Sequence, residues 1–360
     1  MHQQGTQLDF TNQDIFIGLD IGNKSWKTSI MTQEFEHKTF TQPPKIDVLV
    51  NYLHRNFPGA RYHCVYEAGY QGFWIHDELK ERGVNCLVVN PADVPTTHKE
   101  QRHKTNGVDA RKLCRNLRTG ELDAIYVPTR VRLEDRSLVR NRYCFVKKQT
   151  RCKNQIKALL SFYGTLIPEE MVRSHWSRRY ISWLQQLTFK RTSGDQTLQS
   201  LLEELLYLRQ IIVRLTKQIR TLASTEPYRS SVLFLQSVHG ISTLSAMILL
   251  TELIDIHRFS SLDQLANYCG LVPDERSTGE EQTITGITRR RNPLLRALLI
   301  ECAWVAVRKD PALLMAFSKL SARMPKNKAI IRIARKLLNR IRFVLKNQKP
   351  YQVCVVEASC

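Results

Sequence analysis

Eight aliphatic residues, Leu198, Leu201, Leu205, Leu208, Ile212, Leu215, Ile219 and Leu222, follow one another at intervals of 3-4-3-4-3-4-3. Only a helix gathers residues so spaced onto one side, because a turn takes about 3.6 residues. The seam is unbroken over more than three heptads, so this segment is expected to be one long helix with an apolar edge that something covers. Two covers are open: another helix of the same chain, or the same helix of a second copy. The favoured expectation is the second, self-association as a coiled coil.

Upstream, the first 130 residues alternate strand and helix signals. Asp14 to Asp20 is a short apolar run ending in a carboxylate, and Ser25 to Met31 and Phe35 to Thr41 read as two further strands. Pro43 to Phe57 has helical spacing at Ile46, Val48, Leu49 and Leu53. Arg61 to Glu67 is a strand that again ends in a carboxylate, followed by a helix through Trp74, Ile75 and Leu79. A buried strand at Val84 to Asn90, a basic helix at Val108 to Leu117 and a closing strand at Ala124 to Val127 complete the segment. Three strands followed by helix, strand, helix, strand and helix is the order of an RNase H-like domain, although other α/β folds mix the same elements.

From Thr129 to Tyr163 the chain is basic and helical. Arg191 to Gly194 reads as a linker before the leucine seam, and beyond Pro227 the sequence is helical and basic again. The expected fold class is therefore α/β plus α. It divides into an acidic-site domain at 1–128, a basic helical region with a coiled coil at 129–225, and a mostly helical C-terminal domain at 226–360.

The sequence holds 54 Lys and Arg against 33 Asp and Glu, a formal net charge of +21. Such an excess attracts polyanions and gives salt-dependent binding to phosphate backbones. Anionic membrane surfaces are the weaker competitor. No apolar run approaches the ~18 residues of a membrane span, and the polar first residues do not order themselves as a signal peptide. A cytoplasmic, nucleoid-associated bacterial protein is expected. The nine cysteines are scattered without CxxC spacing or a Cys/His cluster, so neither a zinc site nor a disulfide framework is expected.

Three carboxylates could do chemistry together. Asp20 and Glu67 each end an apolar strand, and Asp109 opens the helix after the next strand. In an RNase H-like sheet the two strands are neighbours, so the three can face one crevice. Converging carboxylates need a cation, and hard Mg²⁺ prefers oxygen ligands. One or two such ions, about 4 Å apart when paired, suit phosphodiester chemistry. Taken singly, each carboxylate would more readily cap a turn or pair with an arginine. Lys104, Arg111 and Lys112 surround Asp109 and are candidates for nucleic-acid contact.

A second constellation runs from Gly270 to Asn292. It reads as a polar loop with Ser277 and Thr278 before Gly279, trailed by Arg289, Arg290 and Arg291. A hydroxyl near arginines can attack or bind a phosphate, although Ser-Thr-Gly is also ordinary turn chemistry. Gly240, between two apolar helical stretches, resembles the turn of a helix-hairpin-helix that offers backbone N–H groups to a phosphate. Ser242 stands where the second glycine usually falls, and a plain helix–helix connection fits as well. Lys326 to Lys346 has a cationic face on a packed helix.

The segments IGLDIGNKSW, VYEAGYQGFWIHDEL, VVNPADVPTTHKEQRHKTNGVDARKL, VHGISTLSAMILLTEL, RFSSLDQLANYCGLVPDERSTG and GITRRRNPLLRALLIECAW together resemble the DEDD-type insertion-sequence transposases. These are bridge-RNA-guided recombinases related to the pilin-gene inverting recombinase, and the resemblance covers essentially the whole chain. It implies a RuvC-like N-terminal domain, a coiled coil, and a C-terminal transposase domain whose serine attaches DNA covalently. It further implies Mg²⁺, donor and target DNA, a structured noncoding guide RNA, and a homo-oligomer in which one subunit's serine domain works with another's acidic site. Asp20, Glu67 and Asp109 match the first, second and fourth family acids. Asn106 stands at the third, keeping an oxygen but losing a charge. Thr278 stands at the nucleophilic serine, with Ser277 beside it; its extra methyl restricts χ1 and crowds attack. Two other classes share these features. One is a catalytically impaired nucleic-acid-binding homologue, and the other a Mg²⁺-dependent nuclease or junction resolvase that cuts with water.

Overall fold

The computed structural model describes residues 9–96, 106–172, 175–278, 281–288 and 291–353, with the backbone alone for residue 106 and within 274–285. The chain forms two compact units, Met1–Val127 and Pro128–Cys360. The first is a mixed α/β sheet unit and the second is mostly helical.

In the first unit the order is β1 (Asp14–Ile21), β2 (Trp26–Met31), β3 (Glu36–Gln42), α1 (Ile46–Asn56), β4 (Arg61–Glu67), α2 (Trp74–Glu81), β5 (Asn85–Val89) and α3 (Asn106–Thr119). The strands lie in the spatial order β3-β2-β1-β4-β5. β1, β2 and β3 are antiparallel neighbours, whereas β4 runs parallel to β1 and β5 parallel to β4. Ile15, Ile17 and Leu19 alternate along β1 and are fully buried, as the period of a strand requires. α3 crosses the other face at Gly18. A Cβ there would lie 2.1 Å from the Ala110 carbonyl oxygen and 2.5 Å from the Cys114 nitrogen. Only glycine lets the helix backbone settle so close to the strand, and Asp109 immediately precedes Ala110.

The closing strand expected at Ala124 to Val127 is not formed. Val89 and Ala124 make a single antiparallel bridge, and Ile125 N–H donates to the Val88 carbonyl at 2.8 Å. The segment leaves the sheet edge at Pro128, which has no N–H to extend a ladder.

The second unit comprises α4 (Arg130–Phe162), α5 (Glu169–Val172), α6 (Arg178–Gln186), α7 (Thr192–Ala223), α8 (Arg229–Gln236), α9 (Thr243–Leu253), α10 (Leu262–Cys269), β6 (Pro273–Thr278), β7 (Glu281–Ile287), α11 (Pro293–Val307), α12 (Pro311–Ser321) and α13 (Lys326–Asn347). The leucine seam lies on α7, and α4 of the same chain covers it. Arg142 Nε donates to Thr216 Oγ1 at 2.7 Å near one end of the pair, and the Cys152 thiol meets the Leu201 carbonyl towards the other, so the helices run antiparallel. Leu198, Leu205, Leu208, Leu215 and Ile219 are buried in this pairing, joined by Leu202 and Ile211, while Leu201, Ile212 and Leu222 are half-buried.

Of the two covers open in the sequence, the chain itself supplies one, α4. Periodicity reveals an apolar stripe but not its partner, and here the partner is a helix of the same chain. Arg191 to Gly194, expected as a linker, instead opens α7, with Arg191 at the N-cap position and no side-chain capping bond.

A second core gathers α8 to α13, with Leu249, Leu265, Leu295, Leu299, Ile333 and Leu337 all fully buried. The polar segment after Gly270 is a two-stranded antiparallel hairpin rather than a loop, with Ser277 opposite Gln282 and Thr278 opposite Glu281. Six of the seven described cysteines are buried; Cys144 is exposed. Among the described residues no helix is long and apolar enough to cross a membrane.

Candidate active site

β1 and β4 pair in parallel with Leu19 opposite Tyr66. Asp20 and Glu67, one residue further along each strand, thus leave the same edge of the sheet side by side. α3 then sets Asp109 in its first turn, where the helix dipole favours a carboxylate. The outcome is one pocket of ≈ 150 Å³ whose lining includes Asp20, Glu67 and Asp109 together with Ala68, Gly69, Tyr70 and Gln71. Gln71 Nε2 donates to Asn23 Oδ1 at 2.7 Å and ties the turn after β4 to the turn after β1. The small residues Ala68 and Gly69 keep that rim low.

Lys112 lies one turn beyond Asp109 on α3. Its ammonium is 3.4 Å from an Asp109 oxygen and 4.0 Å from a Glu67 oxygen. The side chain is only 9% exposed, against 18% for Asp109 and 33% for Glu67. The 3.6-residue period turns Lys112 inward with Asp109, where it compensates the carboxylates. Arg111 points elsewhere and pairs with Glu36 at 2.7 Å. Asn106 begins α3 one turn before Asp109; its side chain, and Lys104, lie outside the described residues.

Three carboxyl groups around one pocket are the right donors for a hard divalent cation. As they stand, however, no three Asp, Glu, His or Cys side chains among the described residues are close enough to hold a metal ion. The donor chemistry fits Mg²⁺, and the present spacing is that of a pocket with a lysine in it.

In the second unit Thr278 ends β6, paired across the hairpin with Glu281, and Ser277 precedes it. The side chains of both lie outside the described residues, as do Arg289 and Arg290 altogether. Arg291 is described and exposed, next to Gly270, the left-handed residue that ends α10.

Gly240 does sit between two helices, α8 and α9, at φ +92°. A Cβ there would fall 2.5 Å from the Cys302 carbonyl oxygen on α11. The following N–H, of Ile241, donates to Val238 within the turn. Ser242, in the place of the expected second glycine, caps α9 by accepting from Ser245 N–H. The turn is thus a close helix–helix junction.

Sequence reasoning passed over a buried carboxylate close to the hairpin. Glu252, on the otherwise apolar α9, is completely buried and accepts from Arg140 Nε at 2.6 Å and from Arg136 at 3.2 Å. Asn292 Nδ2 also donates to it, at 2.7 Å. Burial pushes the Glu252 carboxyl up, and Arg140, Arg136 and Asn292 more than offset this, holding it below the ordinary glutamate range. The available signal was a single acid within TLSAMILLTEL, which has to be paired when its helix is buried.

The chain was compared with known proteins. Residues 17–165 match the transposase model for DEDD-type IS110 elements, and residues 233–319 match the transposase IS116/IS110/IS902 family. The chain is 35% identical to y4qE, a candidate transposase of Sinorhizobium fredii, over 68% of this chain and 58% of that relative's length. It is 27% identical to the transposase for insertion sequence element IS1533 of Leptospira borgpetersenii, over 67% of this chain and 70% of the relative. It is 25% identical to the transposase for IS1111A of Coxiella burnetii, over 75% and 74%. The first of the two matched regions contains the acid pocket, and the second contains the hairpin and Glu252. The chain belongs to the IS110-type transposases.

Proposed function

We propose that this chain cuts and rejoins DNA through a covalent ester between a hydroxyl of the β6–β7 hairpin and a DNA phosphate. The observation that carries the reading is the convergence of Asp20, Glu67 and Asp109 on one pocket at the edge of the sheet. In this reading the first unit is a RuvC-like, RNase H-type domain. Asp20, Glu67 and Asp109 would hold Mg²⁺, which when bound supplies Lewis-acid stabilisation of charge on the phosphate oxygens. The Thr278 or Ser277 oxygen attacks phosphorus, and the bond from phosphorus to one deoxyribose oxygen breaks. The hydroxyl proton passes to that leaving oxygen. Attack by a second deoxyribose hydroxyl reverses the ester, rejoins the strand and returns the proton to the side chain. Arg291, with its neighbours Arg289 and Arg290, supplies positive charge for the scissile strand.

Partners follow from the same reading: donor and target DNA, a structured guide RNA that chooses the sites by base pairing, and a homo-oligomer that brings one subunit's hairpin to another's acid pocket. The net charge of +21 supports polyanionic partners. The oligomer is argued from family membership.

A second reading, a catalytically impaired family member, is favoured by Asn106 and Thr278. Purified chain incubated with flanking-element RNA, matched DNA and Mg²⁺ is expected to give a denaturant-stable protein–DNA adduct. Absence of adduct with rescue by Asn106→Asp plus Thr278→Ser establishes the impaired reading. Free ends with no adduct in either protein indicate cutting by water and overturn the covalent mechanism.

A further inference from the structure

The hairpin that presents Ser277 and Thr278 is only two strands wide, and such a ribbon does not hold its own direction in water. Its aim is set where it joins the helices. Both feet are tied there. On one side Thr288 N–H donates to the Val272 carbonyl at 3.1 Å, closing the base of the ribbon. The Thr288 carbonyl in turn accepts from the buried guanidinium of Arg296 on α11.

Beyond it, Asn292 is held from three directions. Its N–H donates to the Tyr268 carbonyl at 3.1 Å, and its Oδ1 accepts from Leu294 and Leu295 at 3.1 and 3.2 Å, capping α11. Its Nδ2 is given to Glu252. Tyr268, on α10 before the first foot, donates its hydroxyl to the Glu252 main-chain oxygen at 3.1 Å. Glu252 therefore stands between the segments that enter and leave the hairpin, and its carboxylate is also gripped by Arg136 and Arg140 of the long basic helix α4.

We infer that Glu252 and Asn292 are positioning residues: they clamp the base of the hydroxyl-bearing hairpin to α4 and so fix where its tip points. This rests on the covalent reading only for its catalytic consequence; the clamp is a property of the fold. A strand of six residues at about 3.3 Å each is a lever of about 20 Å. A rotation of about 3° at the base then moves the tip by about 1 Å, and a misplacement of about 1 Å can cost about 100-fold in rate. Because α4 holds the other side of the carboxylate, a nucleic acid bound along that basic helix would share its support with the hairpin.

Asn292→Ser separates the clamp from the helix cap. A serine hydroxyl can still accept from the first N–H groups of α11, but it has no Nδ2 to give Glu252. Amide exchange is expected to rise at least about tenfold across 273–287, with α9 and α11 unchanged. The rate of adduct formation at saturating DNA is expected to fall about 100-fold, with the half-saturating DNA concentration within about twofold of the parent. Asn292→Ala, which loses the cap as well, adds faster exchange at the start of α11. Glu252→Gln, which keeps an oxygen for Asn292, is expected to fall between parent and Asn292→Ser in both measurements.

Parental exchange across 273–287 in Asn292→Ser overturns the inference, whatever the rate. A parent chain that makes no adduct, combined with faster hairpin exchange in Asn292→Ser, leaves the clamp standing and removes the covalent reading instead. A parental adduct rate together with faster exchange sinks the claim that the clamp aims the hydroxyl.

Discussion

The two units handle carboxylates in opposite ways. In the first, Asp20, Glu67 and Asp109 surround an open pocket, and Lys112 brings one ammonium to within 3.4 Å of Asp109. In the second, Glu252 is sealed from water and gripped by two arginines and an asparagine, and Asp310 is equally buried, paired with Arg340 and capping α12. A carboxylate left at a sheet edge beside a cavity retains access to ligands. A carboxylate sealed among guanidinium groups is committed to them, because water can no longer take their place. The first arrangement suits chemistry, and the second suits holding backbone segments at fixed separations.

The largest expected difference between the two is in stability. Glu252→Ala leaves two arginines facing a cavity, and breaking a buried pair from one side costs about 3–5 kcal/mol. Asp20→Asn, at the half-exposed pocket, should cost under about 1 kcal/mol. Urea unfolding followed by amide exchange reads the units separately. Equal losses in the two variants would mean that the pocket is a structural ion network, and the contrast would collapse. Asp20→Asn should nevertheless abolish adduct formation.

The contrast was only half legible in the sequence. Asp20 and Glu67 could be found because each ends a run whose alternation is unmistakable, and parallel neighbours deliver strand ends to the same edge. β4 has the bounds its sequence suggests, Arg61–Glu67. Asp109 followed from helix order, although what presses it against β1 is the missing Cβ of Gly18, which no pattern of polarity records. The hairpin read as a loop because Pro-Asp-Glu-Arg-Ser-Thr carries no apolar alternation. The seam on α7 was plain, but its partner α4 is rich in Arg and Lys and buries only a few residues, among them Val139, Cys152, Ile156 and Leu160. A helix with so thin a stripe advertises no match. Glu252 was invisible as a hub because its partners lie 112 and 40 residues away in the chain.

Acid should separate the two carboxylate classes by a smaller margin. Burial pushes the Asp310 carboxyl up, while the Leu313 N–H, Arg340 and His239 pull it further down, so it joins Glu252 below the ordinary range. A depressed folded pKa contributes stability that is fully present above the unfolded value and is lost as pH falls through the folded one. The unfolded values are near 4.5 for Glu252 and 3.8 for Asp310. The second unit should therefore keep its stability from neutral pH down to the mid-4 range and lose it below that, at about 1.4 kcal/mol for each unit of depression. Glu252→Gln should flatten that fall, as urea midpoints taken at a series of pH values would show. An unchanged slope would mean that Glu252 is not the group being protonated.

The smallest effect concerns the lysine in the pocket. If Lys112 serves as the resident cation for Glu67 and Asp109, a divalent ion and the ammonium compete for the same carboxylates. Removing the ammonium should then make the first unit more responsive to an added ion. Lys112→Met keeps most of the buried stem and deletes the charge. Without added metal it should unfold slightly earlier than the parent, by under about 1 kcal/mol, since one partly exposed pair is lost. With Mg²⁺ the order should reverse in the size of the response: a site that binds only the folded form gains about 1.4 kcal/mol at roughly ten times its dissociation constant, and the variant should reach that gain at lower Mg²⁺ than the parent. Thermal unfolding across a Mg²⁺ series, with Ca²⁺ as a second hard cation and Na⁺ at matched ionic strength, measures this directly. Identical responses in variant and parent would show that the ammonium does not stand in the ion's place, and the pocket's lysine would then be a support for α3 rather than a rival for its ligands.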